Sequence, residues 1–173
     1  MGNAINNTEI LIRNSIIPAV FIGITISFTI FALSLLHIYV VPIAKFIVFS
    51  SFASSSFLLF MEPKRSSSSI SKFVKSYIIS GIIGVIGFFI SVHIGLYYTL
   101  AIVETAIALL LVLTKSEHPP AMGIGVVFIL ERANIFALVF LVTGMVIIIL
   151  MDKFLNKFVY VIKNDIKVEI KKS

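Results

Sequence analysis

The chain has 173 residues, of which 59% are hydrophobic and only 13% charged, with a net charge of +6 and no cysteine. A soluble domain carries roughly a quarter charged residues, so a mean hydropathy of +1.12 excludes that class and marks an integral membrane protein. The composition also excludes a disulfide framework and a thiolate metal site. The excess lysines read as charges that orient a protein in its membrane, not as a nucleic-acid surface.

Residues 1–14 are polar, with three asparagines among the first seven. They show neither the basic n-region of a signal peptide nor the Arg/Ser bias of a transit peptide, so the first span is expected to stay in the mature protein. Ser15 to Leu36 is that span, since about 20 residues cross the hydrocarbon core. Pro18 lies in its first turn, and Gly23, Ser27 and Ser34 share one side at a spacing that favours close helix contact.

The next apolar stretch, Pro42 to Met61, is interrupted. Lys45 sits one turn in, and Ser50, Ser51, Ser54, Ser55 and Ser56 place five serines in seven positions. Two readings stand side by side. One is a tightly packed internal helix with hydroxyls bonded back to its own carbonyls; the other is a polar lining or a discontinuous helix.

Glu62 to Lys75 is the longest hydrophilic connection, and its serine run reads as a solvated loop. Tyr77 to Val92 is the third span. Ser76, Ser80, Gly84, Gly87 and Ser91 form a stripe of small residues along it, which is first a packing face and only second a pore wall. Tyr97 to Thr114 is the fourth span and carries Glu104. A carboxylate in mid-span costs on the order of 3 kcal/mol, so Glu104 is expected to face the protein interior, as a structural partner or an ion-coupling group.

Glu117-His118-Pro119-Pro120-Ala121-Met122 then breaks the chain. Pro120 lacks a backbone donor and disfavours helical geometry at Pro119, so a helix can start only at about Pro120. The apolar run that follows, Ala121 to Leu130, covers about half a bilayer as a helix. Gly123 and Gly125 loosen it, and Glu131-Arg132 ends it. Ile135 to Met151 is the last span. The lysine-rich tail 152–173 is expected on the cytoplasmic side. It places Leu155, Phe158, Val159 and Ile162 on one helical face, while Ile166, Val168 and Ile170 alternate as a strand would.

If all six segments cross, the N-terminus, the 62–75 loop, Lys115 and the tail share one side. They hold twelve of the 14 basic residues, as the positive-inside bias requires. The fold expected is therefore an all-α polytopic membrane protein with four long and two short or broken segments and both termini in the cytoplasm. The transmembrane domain, 1–151, divides into halves 15–92 and 97–151. Three crossings per half invert the second relative to the first. The short segments then occupy corresponding positions, as the binding segments of transporters do.

Three motifs in order carry a resemblance. Phe52-Ala53-Ser54-Ser55-Ser56-Phe57-Leu58-Leu59-Phe60 leads to Pro63. Ser80-Gly81-Ile82-Ile83-Gly84-Val85 follows, then Leu113-Thr114 with His118-Pro119-Pro120-Ala121. Over Phe46 to Phe154 the chain resembles the HPP family of integral membrane proteins, named for the His-Pro-Pro motif. Where the family commonly has Gly-His before the third span, this chain has Ser76-Tyr77. Where it commonly continues Ala-Gly-Ala-Thr, this chain has Ala121-Met122-Gly123-Ile124. The resemblance implies a small-solute transporter, since some members are linked to nitrite.

The expected function is a transporter or channel in the cell membrane for a small, nitrite-like anion. Free N–H groups at the start of the broken helix (Ala121, Met122 and Gly123) favour negative charge beside His118. Pro119 and Pro120 shape that break, and the hydroxyls of Ser50, Ser51, Ser54 and Ser55 complete a shell. Glu104, Lys45 and Tyr77 are candidate coupling or structural residues. The plainer alternative for His118 is a helix cap or a loop-locking hydrogen bond. For the whole protein it is a membrane scaffold or a subunit of a larger complex. No enzyme activity is expected, given one buried carboxylate and no metal-ligand spacing. No cofactor and no nucleic-acid partner are expected, and the partners foreseen are the lipid bilayer and further copies of the chain in a homo-oligomer.

The absence of cysteine makes the topology directly testable. Ser66→Cys and Lys171→Cys should react with a membrane-impermeant maleimide from the same face, and Arg132→Cys from the opposite face. Labelling of the first two from opposite faces would mean that Ala121 to Leu130 re-enters instead of crossing.

Overall fold

A computed structural model describes residues 15–39, 48–133 and 135–172; side chains at 36–39, 48, 49, 155, 156 and 158–172 are not described. Lys45 therefore lies outside the described residues. Among these residues six α-helices follow in order: α1 Ile17–Tyr39, α2 Val48–Met61, α3 Ile70–Ile94, α4 Leu96–Leu113, α5 Met122–Leu130 and α6 Ile135–Lys172. Among the described residues every regular element is helical. Four helices are long and apolar enough to cross a membrane: α1, α3, α4 and α6. The two interrupted segments give the two short helices, of 14 and 9 residues.

Local chemistry explains the boundaries. The Ser69 side chain accepts from the Lys72 N–H and caps α3. Gly95, at φ 86°, closes α3 and leaves one residue before α4, a turn that needs a residue free of Cβ strain. After α4 the Ser116 N–H reaches the Leu111 carbonyl and the Lys115 N–H that of Val112. After α5, Ala133 and Arg132 bond to Phe128 and Ile129 in the same way. These are paired helix-ending bonds around a left-handed residue, here Lys115 and Arg132.

The core lies where α3 meets α5 and α6. Phe52, Phe73, Tyr77, Phe128, Leu141 and Ile148 are buried there together with Leu33 of α1. A second cluster, Val103, Ile107, Leu111 and Ile129, ties α4 to α5. Small residues let the helices approach closely, which matters in lipid because apolar burial alone gives helices no preference for each other. A Cβ on Gly84 would lie 3.2 Å from the Gly125 backbone, and one on Gly87 would lie 2.6 Å from Val103. Ser76, Ser80, Gly84 and Gly87 are buried, so the stripe on α3 is a packing face.

Three local expectations change. Gly23 and Ser27 are exposed, and α1 instead buries Ile22, Thr25, Thr29 and Leu33. The reason is Gly144 of α6: the space above it is taken by Leu33 and by the ring of Phe52, so α1 presents bulk to it. The serine run after Arg65 is not a plain solvated loop, because Ser66–Ser68 form a 3-10 turn in which Ser68 is buried. The tail forms neither a strand nor a separate surface helix; α6 continues through it to Lys172.

The close approach at Gly144 gives a test. Gly144→Leu should lower the stability of the purified protein in detergent by about 1–3 kcal/mol, because the new side chain must displace Phe52 and Leu33. Gly23→Leu, at a position with nothing within 4 Å of an added Cβ, should leave the thermal midpoint nearly unchanged.

Candidate functional site around His118

Pro119 decides how His118 points. As the residue before a proline, His118 is extended, with φ −133° and ψ 94°. The chain has just left α4 through the Lys115 turn, so the extended residue carries its imidazole back between α2 and α3, where it is fully buried. Pro119 and Pro120 then start a 3-10 turn that leads into α5. Pro119 is exposed on the opposite side of the turn.

Both imidazole nitrogens have partners. Nδ1 lies 2.6 Å from the Ser67 carbonyl oxygen, and Nε2 lies 2.8 Å from the Ser55 hydroxyl. A carbonyl can only accept, so Nδ1 carries the proton and donates to it. In the neutral ring Nε2 then accepts from the Ser55 hydroxyl. Ser55 Oγ is 2.7 Å from the Tyr77 hydroxyl, which must be the donor because the Ser55 proton is committed. The result is a directed chain from Tyr77 through Ser55 and His118 to Ser67, joining α2, α3, the 3-10 turn and the start of α5.

Aromatic rings wall this chain. Phe73 meets the imidazole edge-on at a centroid distance of 5.4 Å, and Phe52 stacks on Tyr77 at 5.4 Å. Burial pushes the His118 pKa below its ordinary value, with the Ser67 carbonyl opposing in part. Protonating Nε2 would turn it into a second donor to Ser55 Oγ, beside Tyr77, and leave the Ser55 proton without its acceptor. An unsatisfied buried donor costs about 1–3 kcal/mol. Outside this wall, the Glu117 carboxylate pairs with Lys72 at 2.8 Å, and the ammonium holds that carboxyl below its usual range.

The candidate serines divide by helical position. Ser51 and Ser55 face inward, whereas Ser50 and Ser54 are exposed, and the Ser54 hydroxyl donates to the Ser50 carbonyl. Ser51 meets the head of α5: a Cβ on Gly123 would lie 3.2 Å from its hydroxyl oxygen. At the break itself, the Ala121 N–H donates to the His118 carbonyl at 3.0 Å, and the Met122 N–H donates to the Pro119 carbonyl. The 3-10 turn thus uses two of the three donors expected to be free, because a tight turn satisfies its own early carbonyls.

Ser54, Pro119 and Pro120 line an open groove of about 720 Å³, together with Arg65 and apolar residues of α1 and α2. Glu104 stands apart from the His118 chain, half-buried on α4, with Oε1 buried against α5 at Gly125. The sequence reading missed Ser67, Phe73 and Arg65. Phe73 was legible, lying four residues before Tyr77 on the same helix face. Ser67 acts through its carbonyl, which no residue type announces.

These features define an α-helical membrane protein whose short helices meet at a buried histidine. A family model for the HPP transmembrane region matches residues 12–163, so the chain belongs to the HPP family. No curated protein and no solved structure matches the chain.

Removing the Tyr77 hydroxyl by Tyr77→Phe should cost about 1 kcal/mol of stability, and His118→Ala about 2–4 kcal/mol, since it strands Ser55 and Ser67 and opens a cavity. The pH dependence has a fixed sign. With the folded pKa depressed, the neutral ring supports the fold fully above the ordinary value of about 6.5. Below it the unfolded chain binds a proton that the folded one does not, so stability falls. Thermal midpoints measured from about pH 7.5 down to about pH 5.5 should drop more for the parent protein than for His118→Gln.

Proposed function

We propose that the protein is a cell-membrane transporter or channel for a small inorganic anion, nitrite-like, whose pathway passes the junction of the two short helices. The observation that carries this reading is that junction: Ser55 of α2 bonds to the buried His118 just before the head of α5. Short helices in corresponding positions of two inverted halves are the structural mark of a midplane transport site.

The packing supports an inverted repeat of three plus three helices. Exchanging α1, α2 and α3 with α4, α5 and α6 maps the observed helix contacts onto one another. The α1–α2 contact maps to α4–α5, α1–α6 to α4–α3, and α3–α5 to α6–α2, while α3–α6 and α2–α5 map to themselves. Buried positions correspond in the same way, with Thr25, Thr29 and Leu33 matching Val103, Ile107 and Leu111.

In this reading both termini are cytoplasmic, further copies of the chain assemble around the pathway, and the protein catalyses no reaction. Glu104 is the coupling candidate, half-buried on α4 against Gly125 of α5. The competing reading is a membrane scaffold, and one observation favours it: both nitrogens of His118 are already satisfied within the chain.

Uptake into proteoliposomes separates the two. Nitrite, nitrate, formate and chloride would be compared at two pH values, with Ser55→Ala and His118→Ala beside the parent protein. Saturable nitrite uptake that falls about tenfold in a folded Ser55→Ala variant is the expected result, as for one lost buried hydrogen bond. No uptake of any anion by folded parent protein would favour the scaffold.

A further inference from the structure

We propose that the open groove beside the His-Pro-Pro turn seats one acyl chain of an anionic phospholipid, with the headgroup phosphate on Arg65. This inference is independent of whether the protein transports anything. The groove has a volume of about 720 Å³, and its walls are mostly apolar, from Ile22 and Ile26 of α1 and Phe57 and Leu58 of α2. Among the described residues that line it, Arg65 carries the formal charge.

The placement of that charge selects the occupant. Arg65 lies just beyond the end of α2, in the connection that also holds Lys64, at the end of the bundle where Lys72 and Glu117 meet. The groove floor at Ala53 and Ser54 is about two turns down α2, roughly 10 Å deeper. A ligand that matches must bring a negative head at the surface and an apolar tail reaching into the hydrocarbon. Small anions fit only the head end. Ser54 adds no free donor, since its hydroxyl already bonds to the Ser50 carbonyl. The basic end is the cytoplasmic one by the positive-inside bias, and that leaflet carries the anionic lipids.

Arg65 is already paired with Glu62 at 2.8 Å, with both side chains about half exposed. An exposed pair of this kind contributes little, so a phosphate competes for the guanidinium on favourable terms. Glu62 therefore acts as a built-in competitor for the site. Because Pro119 and Pro120 form one wall, the seated chain packs directly on the His118 turn.

The test uses the full chain in detergent, offered phosphatidylglycerol, phosphatidylcholine or inorganic phosphate. Bound lipid is read by native mass spectrometry and thermal midpoint by unfolding. Phosphatidylglycerol should be retained in preference to phosphatidylcholine. That preference should fall about fivefold in Arg65→Gln, as for one lost cation near the membrane surface, and rise in Glu62→Gln. Ala53→Trp, which fills the groove, should release both lipids. If that variant does not fold, the two exposed charge variants decide. Equal retention of the two lipids by the parent protein, or an undiminished preference in Arg65→Gln, overturns the proposal. So does stabilisation by phosphate alone equal to that by phosphatidylglycerol, which would mark a small-anion site.

Discussion

The structure depends on one constraint: an imidazole without water must satisfy both of its nitrogens from the chain itself. His118 is fully buried. Its Nδ1 bonds to a backbone carbonyl, that of Ser67, and its Nε2 to the Ser55 hydroxyl. Those two bonds tie the connection before α3 and the middle of α2 to the start of α5. Because an unpaired buried polar group costs more than a single hydrogen bond contributes, the arrangement is held mainly by the penalty of leaving it. Pro119 makes the arrangement possible by holding His118 extended, so the motif works as a unit: the proline aims the ring and the ring holds the helices.

Around this junction the bundle is held by shape. Apolar side chains gain nothing by leaving lipid for a protein interior of equal polarity, so close contact and dispersion must supply the attraction. Gly84 lies against the Gly125 backbone, and Gly144 against the Phe52 ring. The positions most sensitive to added bulk are thus in the helices that flank the junction, and packing and hydrogen bonding restrain the same elements.

The two faces of the His-Pro-Pro turn differ in chemistry. The inner face presents a neutral imidazole in a directed chain of hydroxyls, walled by Phe52 and Phe73. The outer face presents proline rings to an apolar groove that ends at Arg65. What occupies the groove therefore bears on the same short turn that sets the imidazole. The anionic headgroup proposed for the groove follows from Arg65, whose exposed pair with Glu62 a phosphate can replace.

The sequence by itself determined the class, the four long spans, the two short helices and the family motif, because hydropathy, length and proline geometry are local properties. It also marked His118, Tyr77 and the serine run as special, and the small-residue stripe on α3 as a packing face. Tertiary structure alone decided which of these meet. Four-residue spacing turns Ser51 and Ser55 inward and Ser50 and Ser54 outward, but only the placing of α3 and α5 decides that Ser55 meets Tyr77 and His118 while Ser51 meets Gly123. The side of α1 that packs was likewise unreadable, since Gly23 and Ser27 suit close contact as well as Thr25 and Thr29 until Gly144 and Phe52 are placed against them. Ser67 was beyond any sequence reading. Its contribution is a carbonyl oxygen, identical at every residue, and only the path of the chain brings it within 2.6 Å of a buried imidazole.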